Sequence, residues 1–322
     1  MIHTHAVDAM ATRFEIALEG DDAAFLRDVA EEAGEAILEC HARFNRFDPS
    51  SLLSFISRTA HERPARLDEE TFELFELAMR VGRGSDGAFD VAIGRAMEAA
   101  GFRNVNAASS EGSRTQRVEP VRRSGGGIVL DGEASTIVLD RPGVTLDLGA
   151  IAKGFALDRA ADIVREHAIE TALLHGGTSS VVAIGHPAES AGFRVRLAHA
   201  NGIAVDLCDE ALGISAPHGR MIGGGDGGDR RGHVLDPRSG DSAQHLRLAA
   251  VIAPTAAEAD AWSTAIIAGG CIPTGFPNGM SALAIDGAIE RRGPDRWLAG
   301  EAGSSITRPS TADAPAKAFM HA

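Results

Sequence analysis

The sequence predicts an α+β fold in which helices flank a mixed, largely antiparallel sheet. Three observations carry that expectation. Short β-patterned segments outnumber the helices able to serve as crossovers in a purely parallel sheet. Two of them, residues 128–130 and 137–139, bracket the turn-forming DGEAST, a hairpin signal. Several other segments repeat apolar residues at helical spacing, but no apolar run reaches the length of a membrane span.

Taken in order, residues 12–18 read as a strand. Asp21 or Asp22 then caps a helix running to about residue 44, with Phe25, Val29, Ala33, Ile37, Cys40 and Phe44 as its core stripe. A second helix, from about residue 68 to 81, carries Phe72, Phe75, Leu77 and Met79 inward. It ends in SDGAFDVAIG, where Gly87 relaxes the backbone between Asp86 and Asp90. Residues 107–127, rich in Ser, Arg and Gly, read as a surface excursion ahead of the hairpin.

A strand bearing Asp147 comes next, then a tight turn at Gly149 and Ala150, then a helix with Lys153 in its first turn. Small residues leading into a helix N-terminus offer N–H groups and a positive dipole to an anion, and Lys153 adds a full charge. An ordinary strand-to-helix junction would look the same without the lysine. Strands follow at residues 171–174, 181–184, 194–198 and 204–207. A glycine run over residues 222–232 reads either as a surface loop or as a lid, and it leads directly into His233 of HVLDPRSG.

In residues 249–266, AAVIAPTAAEADAWSTAI, an apolar strand is stopped by Pro254, and Thr255 caps a helix carrying Glu258 and Asp260. Asp260 and Thr264 stand at i and i+4, so one helix face presents a carboxylate and a hydroxyl. Oxygen donors of that kind suit a hard cation, although the same spacing is common on solvated helix faces. From Gly300 onward the composition is that of a mobile tail.

Composition limits the partners. The 31 basic and 45 acidic residues give a net charge of −14, which argues against nucleic acid or an anionic membrane. Cys40, Cys208 and Cys271 are odd in number and widely spaced, which suits buried thiols in a reducing compartment. MIHTHAVDAMATRF lacks a basic n-region, an apolar h-region and a nearby cysteine, so the expectation is a cytoplasmic protein without a membrane anchor.

Seven of these segments together resemble the ApbE-type FAD:protein FMN transferases, or flavin transferases. They are MATRFEIAL, RFNRFDPSSLLSFIS, SDGAFDVAIG, DLGAIAKGFALDRA, LLHGGTSSVVAIG, GHVLDPRSG and VIAPTAAEADAWSTA, in the family's order. The resemblance implies an ApbE-like fold with a ligand cleft over residues 9–299, preceded by a leader at residues 1–8 and followed by the tail at 300–322. It implies Mg2+ (or Mn2+)-dependent transfer of FMN from FAD, the substrate, to a threonine hydroxyl of a client flavoprotein, with AMP released and FAD pyrophosphatase activity as a side reaction. The implied cation ligands are Ala150, through its carbonyl, Asp260, Ser263 and Thr264. Implied FAD contacts are Met10, Ala88, Phe89, Asp90, Asp147, Lys153 and Leu235, with His233 and Asp260 in the catalytic roles.

Three segments depart from the family pattern. Thr178 follows Gly177 where relatives carry Asn, and His175 precedes the glycine pair. The Thr-Ser-Gly-aromatic segment reads ISAPHGR at residues 214–220, in a chain with no tyrosine, leaving His218 as the substitute. AAGFR at residues 99–103 replaces a Trp-Gly-Phe-Gly ending. The chain carries no copy of the Ser/Thr-Gly-Ala-Ser/Thr-Ala-Thr acceptor pattern, so self-modification is not expected. Two other readings compete: an FAD-binding or flavin-trafficking protein without transferase activity, and a metal hydrolase built on His3-Thr4-His5.

Overall fold

The computed structural model describes residues 1–102, 127–200, 202–217, 221–222 and 231–298. The surface excursion but for Gly127, His218, most of the glycine run and the tail lie outside the described residues.

The chain opens with an antiparallel pair, β1 (Ile2–Ala9) and β2 (Thr12–Glu19), joined by a two-residue turn. The His3-Thr4-His5 segment is therefore part of an edge strand hydrogen-bonded to β2. Next come α1 (Ala23–Phe44) and α2 (Leu52–Thr59), a short β3 (Ala65–Arg66), then α3 (Glu69–Gly84) and α4 (Gly94–Ala99). Asp22 caps α1, accepting from the Ala24 and Phe25 N–H groups, and Asp68 caps α3 through Thr71 N–H. The expected hairpin appears as β4 (Ile128–Asp131) and β5 (Thr136–Leu139), with β3 on the other side of β5.

Beyond it lie α5 (Ala152–Glu166), β6 (Thr171–Gly176) and β7 (Ser180–Ile184). The hairpin β8 (Phe193–Arg196) and β9 (Ala204–Leu207) precedes β10 (Glu210–Ser215) and a two-stranded ribbon, β11 (Met221–Ile222) with β12 (Arg231–Gly232). The last elements are β13 (Leu248–Ala253), α6 (Ala256–Gly269), β14 (Ser281–Asp286) and β15 (Ala288–Arg292). Among the described residues no helix is long and apolar enough to cross a membrane.

Eight strands form one sheet in the order β1-β2-β6-β7-β10-β13-β14-β15, and every neighbouring pair is antiparallel. A parallel pairing does occur outside these strands, the bridge between Ile93 and Thr145. Strand β13 is apolar at every position, and β7 at every position after Ser180, because both faces of the sheet are covered there. Along β13, Ala249, Val251 and Ala253 join the core beneath the helices, whereas Leu248, Ala250 and Ile252 join a second core shared with β8, β9 and Trp297. Strand β7 divides in the same way, Val182 and Ile184 to the first core and Val181 and Ala183 to the second.

One member of the expected stripe on α1 is displaced. Phe25 is 43% exposed, and Leu26 is buried in its place. The buried face runs through Leu26, Val29, Ala30, Ala33 and Ile37, which leaves Phe25 on the flank with its ring edge-on to His167 at 5.8 Å.

Candidate functional site

Antiparallel pairing gathers five segments at one end of the large sheet. The β1–β2 turn at Met10 and Ala11, the β6–β7 turn at residues 177–179 and the end of β10 at Ser215 all lie there, because Phe14 pairs with Gly176, Gly176 with Ser180, and Ser180 with Gly213. Gly177 N–H donates to the Arg13 carbonyl at 2.8 Å, and Ile214 N–H to the Ser179 carbonyl at 2.7 Å, stitching neighbouring turns together. The N-terminus of α5 and the middle of α6 complete the group.

Two glycines permit the close approach of α6. A Cβ on Gly213 would lie 2.3 Å from the Ala259 carbonyl carbon, so β10 carries no side chain where α6 crosses it. A Cβ on Gly154 would lie 2.1 Å from the Ala256 oxygen, so α5 and α6 touch backbone to backbone. That contact lets the two helices exchange carboxylates. Asp260 of α6 accepts the Gly154 N–H of α5 through Oδ2 at 2.9 Å, in the first turn of a helix whose N-cap, Ile151, makes no side-chain hydrogen bond. Asp158 of α5 accepts the Ala256 and Ala257 N–H groups of α6 at 2.7 and 2.8 Å.

Asp260 is 4% exposed. The buried Ser180 hydroxyl lies 2.7 and 2.8 Å from its two oxygens, and the Lys153 ammonium lies 3.6 Å from Oδ2. Burial pushes the Asp260 carboxyl above its ordinary range, against the pull of Lys153, Ser180 and Gly154. Burial likewise raises Asp158 to about 7, opposed by its two backbone hydrogen bonds. One turn along α6 from Asp260, the Thr264 hydroxyl is 3.2 Å from Ser215 Oγ, which is also 2.8 Å from Ser263 Oγ. Ser263 is fully buried, and its hydroxyl donates to the Asp260 carbonyl at 3.1 Å. The Asp260 carboxylate and four hydroxyls thus gather around the α6–β10 crossing, Ser180 bonded to the carboxylate and the linked Ser215, Ser263 and Thr264 joined to the Asp260 backbone carbonyl.

The remaining sequence-predicted residues lie in the turn before α5, the segment after α3, the loop after β12 and the β1–β2 turn. Ala150 occupies the turn before α5, three residues from Lys153, and packs against the helix-side core. Asp147 accepts Gly149 N–H at 2.8 Å and pairs through Oδ2 with Arg46 Nε at 3.1 Å. Arg46 also donates to the Phe102 carbonyl at 2.5 Å. Asp147 N–H donates to the Val91 carbonyl at 2.8 Å, which sets the Ala88, Phe89 and Asp90 segment beside it. Ala88, Phe89 and Asp90 are all buried, and Asp90 Oδ1 accepts Ala92 N–H at 2.8 Å. Ala88 also abuts the far end of α6, where a Cβ on Gly269 would meet its methyl at 3.1 Å.

His233 and Leu235 follow β12. There Leu235 bridges to Ser242, and Asp236 and Arg238 form a charged pair at 2.7 Å. A Cβ on Gly232 would meet the Pro217 carbonyl at 2.4 Å, which ties this loop to the chain leaving Ser215. Met10, in the β1–β2 turn, lies against α1. Met10 and Ala11 both have positive φ, 49° and 59°, values costly for residues with a Cβ. The Met10 N–H donates to His41 Nδ1 at 3.2 Å, and the turn lines a cavity of about 430 Å³ with Asp8, Arg13 and His41.

The sequence reading missed Ser180, Ser215, Asp158 and Arg46. The glycines at 154 and 213 were the available signal: a glycine inside a helix or strand pattern marks a close approach, and the missed serines and Asp158 surround the two they mark.

The ApbE family model matches residues 10–272. An FAD:protein FMN transferase of Klebsiella pneumoniae is 28% identical over 235 residues, 71% of this chain and 70% of that protein. One from Rhodobacter capsulatus is also 28% identical, over 80% of this chain but 50% of its own length. The structure is similar to the ApbE protein of Thermotoga maritima, at a TM-score of 0.79 and 28% identity, covering 91% of this chain and 97% of that one. The flavin transferase ApbE of Vibrio cholerae shares the fold at 18% identity, with a TM-score of 0.75 and coverage of 92% and 98%. The order of motifs, the antiparallel sheet and the family match agree, and the chain belongs to the ApbE family of enzymes.

Proposed function

We propose that the chain transfers FMN from FAD to a threonine hydroxyl of a client flavoprotein, releasing AMP, with Asp260 and Thr264 as side-chain ligands of a divalent cation. The observation that carries this reading is the buried Asp260 carboxylate, held 3.6 Å from the Lys153 ammonium at a helix N-terminus. The relatives' names supply the reaction, and the polar cluster supplies a place for its charges.

The donor set fits a hard cation. Asp260 and Thr264, with Ser263 next in sequence and the Ala150 carbonyl from the turn before α5 as the further ligands of this reading, offer oxygen alone. No group of three or more His, Cys, Asp or Glu side chains gathers among the described residues, which disfavours a zinc-type set. The carboxylate also already keeps a positive charge beside it. Mg2+ or Mn2+ held there would supply Lewis acidity to the diphosphate.

The chain's own groups then bind and orient. Lys153 and the α5 N-terminus attract the phosphates, and Asp147 with the buried 88–90 segment borders the dinucleotide. Met10 and Leu235 close the FAD site from the β1–β2 turn and the β12 loop. The client hydroxyl oxygen bonds to the phosphorus next to riboflavin, the bond from that phosphorus to the bridging oxygen breaks, and AMP departs. His233 takes the hydroxyl proton. Phosphoryl transfer of this kind needs positioning and charge neutralisation more than a protein nucleophile. With water as acceptor the same steps release FMN and AMP.

AMP release from FAD tests this directly. With Mg2+ the purified chain should produce AMP, faster when a flavoprotein carrying the acceptor threonine is added, and EDTA should stop it. FAD bound tightly with no AMP formed, client present, supports a flavin carrier instead.

A further inference from the structure

Asp260 combines near-complete burial with a full set of partners within the chain. Oδ2 accepts Gly154 N–H at 2.9 Å and faces Lys153 Nζ at 3.6 Å, while Ser180 Oγ lies within 2.8 Å of both oxygens. Gly154 and Ser180 are neutral and fixed, one on helix backbone and the other on β7 in the middle of the sheet. Lys153 is different: it is the cation in the set, it is 22% exposed, and its four-carbon stem can reposition the charge. A buried carboxylate without a cation is costly, so whichever positive charge is available will be held there.

We propose that the Lys153 ammonium is the resident counter-cation of Asp260, released to the FAD diphosphate when a divalent ion takes the carboxylate, so that metal and dinucleotide bind cooperatively. The inference rests on Asp260 as the cation ligand proposed above. Each event removes the other's obstacle. A divalent ion at Asp260 repels the ammonium and frees it for phosphate, while a diphosphate that draws Lys153 away leaves the carboxylate uncompensated and receptive to metal. Metal binding to the nucleotide-free protein must displace Lys153, and is weakened by that competition.

The test is a titration of nucleotide-free protein with Mn2+ alone, following the free-ion EPR signal, for the wild type, Lys153→Met, Lys153→Gln and Asp260→Asn. Both Lys153 variants should bind Mn2+ more tightly than the wild type, on the order of tenfold. In EDTA they should melt below the wild type, and Mn2+ should restore more of that loss than it adds to the wild type. Unchanged or weaker Mn2+ affinity in two folded Lys153 variants overturns the inference while leaving Asp260 as a ligand. Equal Mn2+ affinity in wild type and Asp260→Asn overturns the cation site itself, and this inference with it. If a Lys153 variant folds only with Mn2+ present, the displacement is supported by that dependence.

Discussion

At the scale of single residues, the site depends on atoms that are missing as much as on those present. Gly154 has no Cβ where the Ala256 carbonyl passes, and its N–H reaches Asp260 because nothing separates the helices. Replacing Gly154 with Ala would raise helix propensity in isolation by about 1 kcal/mol. The new methyl would have to sit 2.1 Å from the Ala256 oxygen, however, and overpacking of this kind costs about 1–3 kcal/mol. The clash should win. Urea denaturation of Gly154→Ala is expected to show a net loss of stability. A variant as stable as the wild type would mean that α5 can slide without disturbing the site.

At the scale of elements, α5 and α6 act as a pair because each carries the acid that caps the other. Asp158 receives the first two N–H groups of α6, and Asp260 receives one from the first turn of α5. This arrangement predicts a pH dependence. Burial raises Asp158 to about 7 in the folded protein, above its ordinary carboxylate value of 3.8, so the native state holds this proton longer than the unfolded chain. Its contribution to stability is therefore fullest below the unfolded value and declines as pH rises through about 7. Thermal midpoints of the wild type and Asp158→Asn between pH 4 and 8 should show the wild-type advantage shrinking as pH rises. An advantage that grows with pH would show that the backbone donors outweigh desolvation.

The same pair of helices marks where the sequence was readable. The Thr255 cap, the Asp260 and Thr264 face and the strand before them appear as expected, because each is encoded within a few residues. The link from Asp260 to Ser180 spans eighty positions, and that from Asp158 to Ala257 ninety-nine, distances over which no local pattern operates. Phe25 was misplaced for a related reason: its spacing suits either edge of the buried arc, and only the packing of α1 settles which edge is covered.

At the scale of the molecule, a net charge of −14 sets the problem that the site has to solve. A dianionic dinucleotide approaches a protein whose overall field repels it, so binding must depend on short-range positive groups. Lys153, the α5 N-terminus and a divalent ion at Asp260 would supply them at one end of an eight-stranded sheet. The sheet positions them because its two cores hold the central strands from both faces, fixing where each turn emerges. The 88–90 segment is positioned less directly, through the Ile93–Thr145 bridge and the Arg46–Asp147 ion pair.

Mass spectrometry of an acceptor flavoprotein incubated with FAD, Mg2+ and either the wild type or Asp260→Asn tests the whole account. Asn is preferred to Ala because it keeps the side-chain volume and an oxygen for Gly154 N–H and the Ser180 hydroxyl. The wild type should leave an FMN-sized adduct on a threonine, and the variant should lower its rate by about a hundredfold or more while remaining folded. An adduct formed equally fast by both proteins, or by neither, would contradict it.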